Sequence, residues 1–149
     1  MNKPLVVGYR HTGIIVQNMD ESLRFYKDIL GLELIQEFTD DSDYINKITG
    51  INNGVAHFNK LKMQDGTVLE LLQYPTHPTQ KHNLGILNVG VCHVALRVEN
   101  ALEAHKSLVK KGIKVLSEPV LSSEGIAKVF FCIDPDGVRV ELVEMLEGY

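Results

Sequence analysis

The sequence predicts an α+β fold built from two βαβββ modules, and an internal duplication is the main reason. His11 lies near the start of the run Tyr9–Val16, and His93 lies near the start of the similar run Val91–Val98. In each copy an Asn follows the His by seven residues, a Glu comes three residues later, and a DGxxxEL motif comes later still. Such a repeat predicts two structural copies in tandem. Neither copy can bury its sheet alone, so we expect the sheets to combine into one open, curved mixed sheet, a cup with flanking helices.

The first module is expected at about residues 5–75. Val6–Val16 alternates as a strand, with His11 on one face. Asn18–Gly31 is expected to be a helix, because Asn18 and Glu21 form a capping box and the glycine ends the apolar stripe. A hairpin is predicted at Asp65-Gly66. The other predicted strands are Leu32–Phe38, Val55–Met63 and Thr67–Tyr74.

One polar stretch, Asp40–Gly54, has no counterpart in the second half and is helix-compatible from Tyr44 to Thr49. Two interpretations stay open for it, a lid over the cup and an ordinary surface excursion.

A linker at about residues 76–88 is expected to join the modules, since turn-forming residues follow Pro75. The second module, at about residues 89–147, repeats the order of the first. Asn100 and Glu103 cap its helix, Asn100–Lys111, and Gly112 ends it. Its predicted strands are Gly90–Val98, Ile113–Leu116, Ala127–Ile133 and Val138–Met145.

Composition is that of an ordinary globular protein and excludes some partners. A chain of 149 residues with 44% hydrophobic and 23% charged residues is expected to form a single domain over residues 1–149. A formal net charge of −4, without a basic stripe, argues against nucleic acid as a partner. No apolar run approaches the roughly 20 residues that span a bilayer. The N-terminus lacks a signal-peptide pattern, so we expect a cytoplasmic protein with Cys92 and Cys132 reduced.

Four side chains in equivalent positions of the two copies suggest a metal site. A Glu in the middle of a strand rich in Val and Leu is costly to bury unless something charged pairs with it. Because the same cost recurs in both copies, we expect one shared cation. Imidazole and carboxylate ligands suit Ni²⁺, Co²⁺, Zn²⁺, Mn²⁺ and Fe²⁺, so the identity of the metal does not follow from the ligands. The four candidate ligands are His11, Glu70, His93 and Glu141.

Three stretches resemble the vicinal oxygen chelate superfamily, which includes glyoxalase I, methylmalonyl-CoA epimerase, extradiol dioxygenases, and the fosfomycin and bleomycin resistance proteins. The stretches are Arg10–Leu34, Cys92–Asn100 and Asp134–Glu144. The resemblance implies paired βαβββ modules around a metal held by the same four side chains. This His-Glu-His-Glu set is most similar to that of glyoxalase I, or lactoylglutathione lyase. The residues that hold glutathione in that family are not matched, since Gln36 stands where Arg is common.

The resemblance implies an isomerase or lyase that transfers a proton next to a metal-chelated carbonyl of a small molecule. Glu141 and Glu70 are the candidate bases, with Glu141 favoured by resemblance. Candidate substrate-binding residues are Arg139, Arg97 and His57. Alternatives left open are an epimerase similar to methylmalonyl-CoA epimerase, an extradiol dioxygenase, and a non-catalytic module that binds a small molecule such as an antibiotic. A homodimer is also implied by resemblance.

Overall fold

A computed structural model describes residues 4–81 and 85–146. Residues 82–84 of the predicted linker and residue 147 of the second module therefore lie outside the described part. The chain divides into two compact units, with the boundary between Gln80 and Lys81. Within the described ranges, no helix is long and apolar enough to cross a membrane.

The first unit forms a four-stranded sheet with helical segments. Its elements are β1 (Thr12–Ile15), α1 (Met19–Leu23), a π-helical continuation (Arg24–Ile29), β2 (Glu33–Asp40), α2 (Asp43–Thr49), β3 (Ala56–Lys62) and β4 (Val68–Gln73). The strands follow the order β1-β4-β3-β2, with β1 parallel to β4 and the other neighbours antiparallel.

Local sequence signals explain where the first helix begins and ends. The Asn18 side chain accepts a hydrogen bond from the Glu21 backbone N–H at 3.1 Å, which satisfies one free donor of the first turn. Gly31 follows with φ of +83°, a left-handed conformation that glycine adopts without steric cost. The predicted helix is thus confirmed, although its second half winds as a π-helix.

The second unit repeats this architecture. Its strands follow the order β5-β8-β7-β6, with β5 parallel to β8 and the remaining neighbours antiparallel. The Asn100 side chain caps its helix through the Glu103 N–H at 2.9 Å. The elements are β5 (Val94–Arg97), α3 (Ala101–Lys110), β6 (Val120–Leu121), β7 (Ala127–Ile133) and β8 (Arg139–Met145). The predicted α+β class with repeated modules is confirmed.

The first strand of each unit is shorter than predicted. β1 begins at Thr12 rather than Val6, and β5 begins at Val94 rather than Gly90. A strand needs a paired neighbour, and in the first unit the partner β4 begins only at Val68, just after a tight turn. His11 and His93 therefore lie immediately before their strands.

The predicted strand Ile113–Leu116 is wrong. Only Val115 forms a bridge there, with Cys132, and the strand that pairs with β7 is β6, further along the chain. Pro119 stands between the bridge and β6. Because proline has no N–H to donate to a ladder, it interrupts the pairing at this point.

Candidate metal-binding pairs

The first pair consists of His11 and Glu70. Gly13 lies opposite Glu70 in the parallel β1–β4 ladder, so His11, two residues earlier, lies beside the carboxylate. His11 Nε2 is 3.2 Å from Glu70 Oε2. The Glu70 side chain is only 9% exposed and that of His11 is 32% exposed. A buried carboxylate is thus held against an imidazole at one end of the strand pair.

The second pair, His93 and Glu141, reproduces this arrangement. Ala95 lies opposite Glu141 in the β5–β8 ladder. His93 Nε2 is 3.1 Å from Glu141 Oε2. The Glu141 side chain is 21% exposed, more than that of Glu70. The same His–Glu contact therefore recurs in both copies of the repeat, through the same ring nitrogen.

These separations fit two ligands of one divalent ion. Two adjacent ligands, each about 2.1 Å from an octahedral metal, are about 3.0 Å apart. The separations of 3.2 and 3.1 Å are close to this value. Each unit brings together one imidazole and one carboxylate, and no group of three or more His, Cys, Asp or Glu side chains that could hold a metal occurs among residues 4–81 and 85–146. The donor types and spacing in each pair are those of two adjacent ligands of a divalent ion.

The other nitrogen of each imidazole has different surroundings. His93 Nδ1 is 2.8 Å from the Sγ atom of Cys92, so the ring is held from both sides. His11 Nδ1 is buried and makes no hydrogen bond within the described residues. A second contact of this kind orients a ligating imidazole, so His93 is the more firmly held of the two.

An apolar wall lies next to Glu70 on the same face of the first sheet. The register places Phe58 and Leu72 on the face that carries Glu70. Ile45 of α2 is fully buried and clusters with Phe58 and Tyr74. Burial and the negative charge of Glu70 raise the pKa of the Tyr74 hydroxyl. The stretch Asp40–Gly54, which was open to two interpretations, therefore packs through α2 on the sheet face that carries the first pair.

The two candidate arginines lie on the face that carries Glu141. Arg139 precedes Glu141 by two residues on β8, and Arg97 lies opposite Val143, two residues after it. Arg97 is exposed and Arg139 is half-buried. Both therefore lie on the second sheet near the second pair.

His57 lies away from the first pair. It is opposite Gln73 in the β3–β4 ladder, and alternation places both on the face opposite to Glu70. There it lines a cavity of about 480 Å³ together with Glu37 and Asn59. The structure thus places two of the three candidate substrate-binding residues, the arginines, on the face of a His–Glu pair, and His57 on the other face.

The fold and a match to a family model define the class of this protein. The chain belongs to the Glyoxalase/Bleomycin resistance protein/Dioxygenase superfamily, whose family model matches residues 8–142.

The named relatives of the chain include proteins called lactoylglutathione lyase. The chain is 35% identical over 137 residues to a probable lactoylglutathione lyase from Synechocystis sp., covering 90% of this chain and 92% of the relative. It is 30% identical over 141 residues to the lactoylglutathione lyase of Neisseria meningitidis serogroup B, covering 93% and 91%.

Solved structures support the fold. A glyoxalase family protein from Bacillus cereus aligns with a TM-score of 0.87 at 22% identity, covering 98% of this chain and 99% of that one. The trypanothione-dependent glyoxalase I of Leishmania major aligns with a TM-score of 0.64 at 25% identity, covering 90% and 84%.

Proposed function

We propose that this protein is a metal-dependent lyase or isomerase of the glyoxalase type, and that its two His–Glu pairs together hold one divalent metal ion. The observation that carries the proposal is the recurrence of the same Nε2–Oε2 contact, at 3.2 Å and 3.1 Å, in both copies of the repeat. The identity to relatives named lactoylglutathione lyase supports the same conclusion. The two His–Glu pairs of one site belong either to the same chain or to the two chains of a homodimer.

The proposed ligands are His11, Glu70, His93 and Glu141. A bound divalent metal supplies a Lewis acid that polarises the substrate carbonyl and favours loss of the neighbouring carbon-bound proton. The two carboxylates would balance the charge of the ion, and the two imidazoles would complete the ligand set.

Glu141 is the proposed base. A base must reach the substrate, and the Glu141 side chain is 21% exposed whereas that of Glu70 is 9% exposed. Glu141 would take the proton next to the carbonyl and return it to the neighbouring carbon, so the substrate is isomerised without net change in protons. Glu70, held inside its sheet, would remain a ligand.

The proposed substrate is a thiohemiacetal, formed from a 2-oxoaldehyde and a thiol. The relatives' name, lactoylglutathione lyase, and the trypanothione-dependent enzyme of Leishmania point to a thiol of this kind. Arg97 and Arg139, on the face that carries Glu141, are the proposed partners of an anionic group of the thiol. A guanidinium pairs well with a carboxylate because it donates two parallel hydrogen bonds.

Turnover of thiohemiacetals prepared from methylglyoxal with glutathione or trypanothione tests the function. We expect turnover that is lost on chelation, restored by Ni²⁺ or Zn²⁺, and reduced at least about 100-fold in Glu141→Gln. A metal-loaded protein that binds these compounds without converting them would instead be a binding module. Oxygen consumption with a catechol would indicate a dioxygenase.

A homodimer is proposed as the assembled form. Apolar residues before each His are largely exposed in the single chain, namely Leu5, Val6, Val7, Leu87, Val89 and Val91. Exposed apolar segments of this kind are rarely left in water and suit burial against a second copy. Analytical ultracentrifugation is expected to give a particle of twice the chain mass, and a monomer at micromolar concentration would contradict the proposal.

A further inference from the structure

A lysine contacts Glu70, and the proposed mechanism does not use it. We propose that Lys60 is a resident counter-cation for Glu70, which neutralises this carboxylate in the metal-free protein and thereby weakens divalent metal binding at the first pair. The part that concerns metal affinity rests on the proposed function, because it takes Glu70 as a ligand. The part that concerns the metal-free protein does not.

The sheet register places the two side chains together. Lys60 of β3 lies directly opposite Glu70 of β4, and its Nζ atom is 3.9 Å from Glu70 Oε1. The Lys60 side chain is only 18% exposed. Cross-strand neighbours on one face lie close enough for their side chains to interact. The contact therefore follows from the fold and is not a chance meeting of two surface charges.

Two further contacts hold the ammonium group in place. Lys60 Nζ donates a hydrogen bond to Gln36 Oε1 at 3.1 Å. It also lies over the ring of Phe38, 5.5 Å from the centroid, where the electron-rich face attracts a cation. A lysine fixed by an amide, an aromatic face and a carboxylate is suited to staying in place.

Both oxygens of Glu70 have a partner as a result. Oε2 contacts His11 and Oε1 faces Lys60. An ionised carboxylate is expensive to bury unless it is paired. Lys60 thus gives the buried Glu70 a full positive charge as neighbour before any metal arrives.

The second copy of the repeat has no lysine at the equivalent position. Phe131 lies opposite Glu141 in the β7–β8 ladder, and its ring meets that of His93 edge-on at 5.5 Å. The two pairs match in their His–Glu distance but differ in the residue across the strand, a cation in one and an aromatic ring in the other. The cation beside Glu70 is therefore a feature of the first copy and not of the repeat, and Lys60 sets the local charge at the first pair.

Repulsion between Lys60 and an incoming dication sets the direction of the effect. A divalent ion bound by Glu70 must approach the ammonium group, and like charges at such distances repel strongly where water is scarce. Removing the ammonium while keeping an apolar stem is therefore expected to tighten metal binding by about tenfold. A lysine that only supported the sheet would, on removal, loosen metal binding or leave it unchanged.

The test compares Lys60→Met with Lys62→Met. Lys62 lies on the same strand, opposite Val68 rather than Glu70. Its Nζ atom pairs with Glu33 at 2.9 Å, and its side chain is 40% exposed. Calorimetric titration of the chelator-treated full chain with Ni²⁺ is expected to give about tenfold tighter binding in Lys60→Met and no change in Lys62→Met. Lys60→Arg is expected to behave as the unchanged protein. Equal or weaker binding in Lys60→Met overturns the affinity claim.

Melting of the metal-free proteins tests the counter-cation role by itself. Lys60→Met is expected to lower Tm more than Lys62→Met does, because Glu70 is left with His11 alone. In the Glu70→Gln background the Lys60→Met change is expected to have little further effect, which is the signature of a direct coupling. Equal losses of Tm in both backgrounds overturn the proposal. If the unchanged protein binds no divalent ion, the proposed function fails and this cycle still decides the role of Lys60.

Discussion

Gly13 lies opposite Glu70 in the first parallel ladder, in the position that Ala95 occupies opposite Glu141 in the second. A Cβ atom at Gly13 would lie 3.3 Å from Leu72 Cδ1, which is tight but relieved by a small shift of a flexible side chain. Both positions opposite the carboxylates therefore carry small residues. The repeat thus preserves a small residue opposite each Glu as well as the His–Glu pairs themselves.

Enlarging Gly13 is expected to disturb the first pair. Gly13→Val places branched bulk against Leu72, two residues after Glu70 on β4, and the resulting displacement of the carboxylate should weaken Ni²⁺ binding by about 10–100-fold. Gly13→Ala should resemble the unchanged protein, because the second copy already carries Ala95 there. Gly8→Val is a further control, since nothing lies within 4 Å of a Cβ at Gly8. Calorimetry on the three variants checks the order, and undiminished affinity in Gly13→Val would count against it.

Ile45 is expected to anchor α2 to the sheet. Its side chain is fully buried in the cluster with Phe58 and Tyr74, whereas Ile48, on the same helix, is 58% exposed. Ile45→Ala should lower the free energy of unfolding by about 2–5 kcal/mol through loss of contacts and a residual cavity. Ile48→Ala should cost no more than about 0.5 kcal/mol. Urea denaturation measures both, and similar losses would show that α2 is not held through Ile45.

The turn before β8 is expected to depend on Asp134. This residue is 4% exposed, and its Oδ1 atom accepts hydrogen bonds from the N–H groups of Asp136 at 2.9 Å and Val138 at 2.7 Å. Asp134→Ala leaves these donors without that acceptor, at a cost of about 1–3 kcal/mol. Asp65, in the equivalent turn of the first copy, accepts from Thr67 in an exposed setting, so Asp65→Ala should cost about 0.5 kcal/mol. Chemical denaturation compares the two, and the reverse order would refute the assignment.

Cys132 is expected to make the fold sensitive to alkali. Burial, and secondarily the charge of Asp134, raise the pKa of its thiol from 9.0 to about 11. The folded state then retains a proton that the unfolded state releases, so stability is fully present below pH 9 and is lost as pH rises through 11. The loss should reach about 2 kcal/mol by pH 11.

Denaturation series between pH 8 and 11 check this slope against Cys132→Ala, which should lose less stability over the same range. An equal slope in the variant would assign the alkaline loss to other groups. Tyr74, whose hydroxyl pKa is also raised, is retained in both proteins and contributes equally to each series.

Sequence periodicity and capping residues predicted most of the fold. The repeat placed each His–Glu pair, because a parallel ladder between the first and last strands of a βαβββ module brings the start of one beside the middle of the other. The predicted limits of β7, Ala127–Ile133, match the observed ones. The predicted lengths of β1 and β5 were wrong, because strand length depends on the presence of a paired neighbour. An apolar segment alternates in sequence whether or not a partner strand lies beside it.

The surroundings of the pairs were harder to predict. Lys60 was missed, although the Asp65-Gly66 turn fixes the register that brings it opposite Glu70, so the hairpin signal contained the necessary information. The packing of α2 on the sheet could not be predicted, because its one fully buried residue, Ile45, has no repeated counterpart for comparison. His57 was proposed as a histidine on a predicted strand that could point into the cup, and the observed register places it on the face opposite to Glu70.

Calorimetric titration of the chelator-treated protein with Ni²⁺ tests the central claim most directly, because it counts ions. If both His–Glu pairs serve one site, the protein binds one ion per chain, and His11→Ala or His93→Ala each abolishes tight binding. Two independent ions per chain, or a single His variant that keeps its full affinity, would contradict the account.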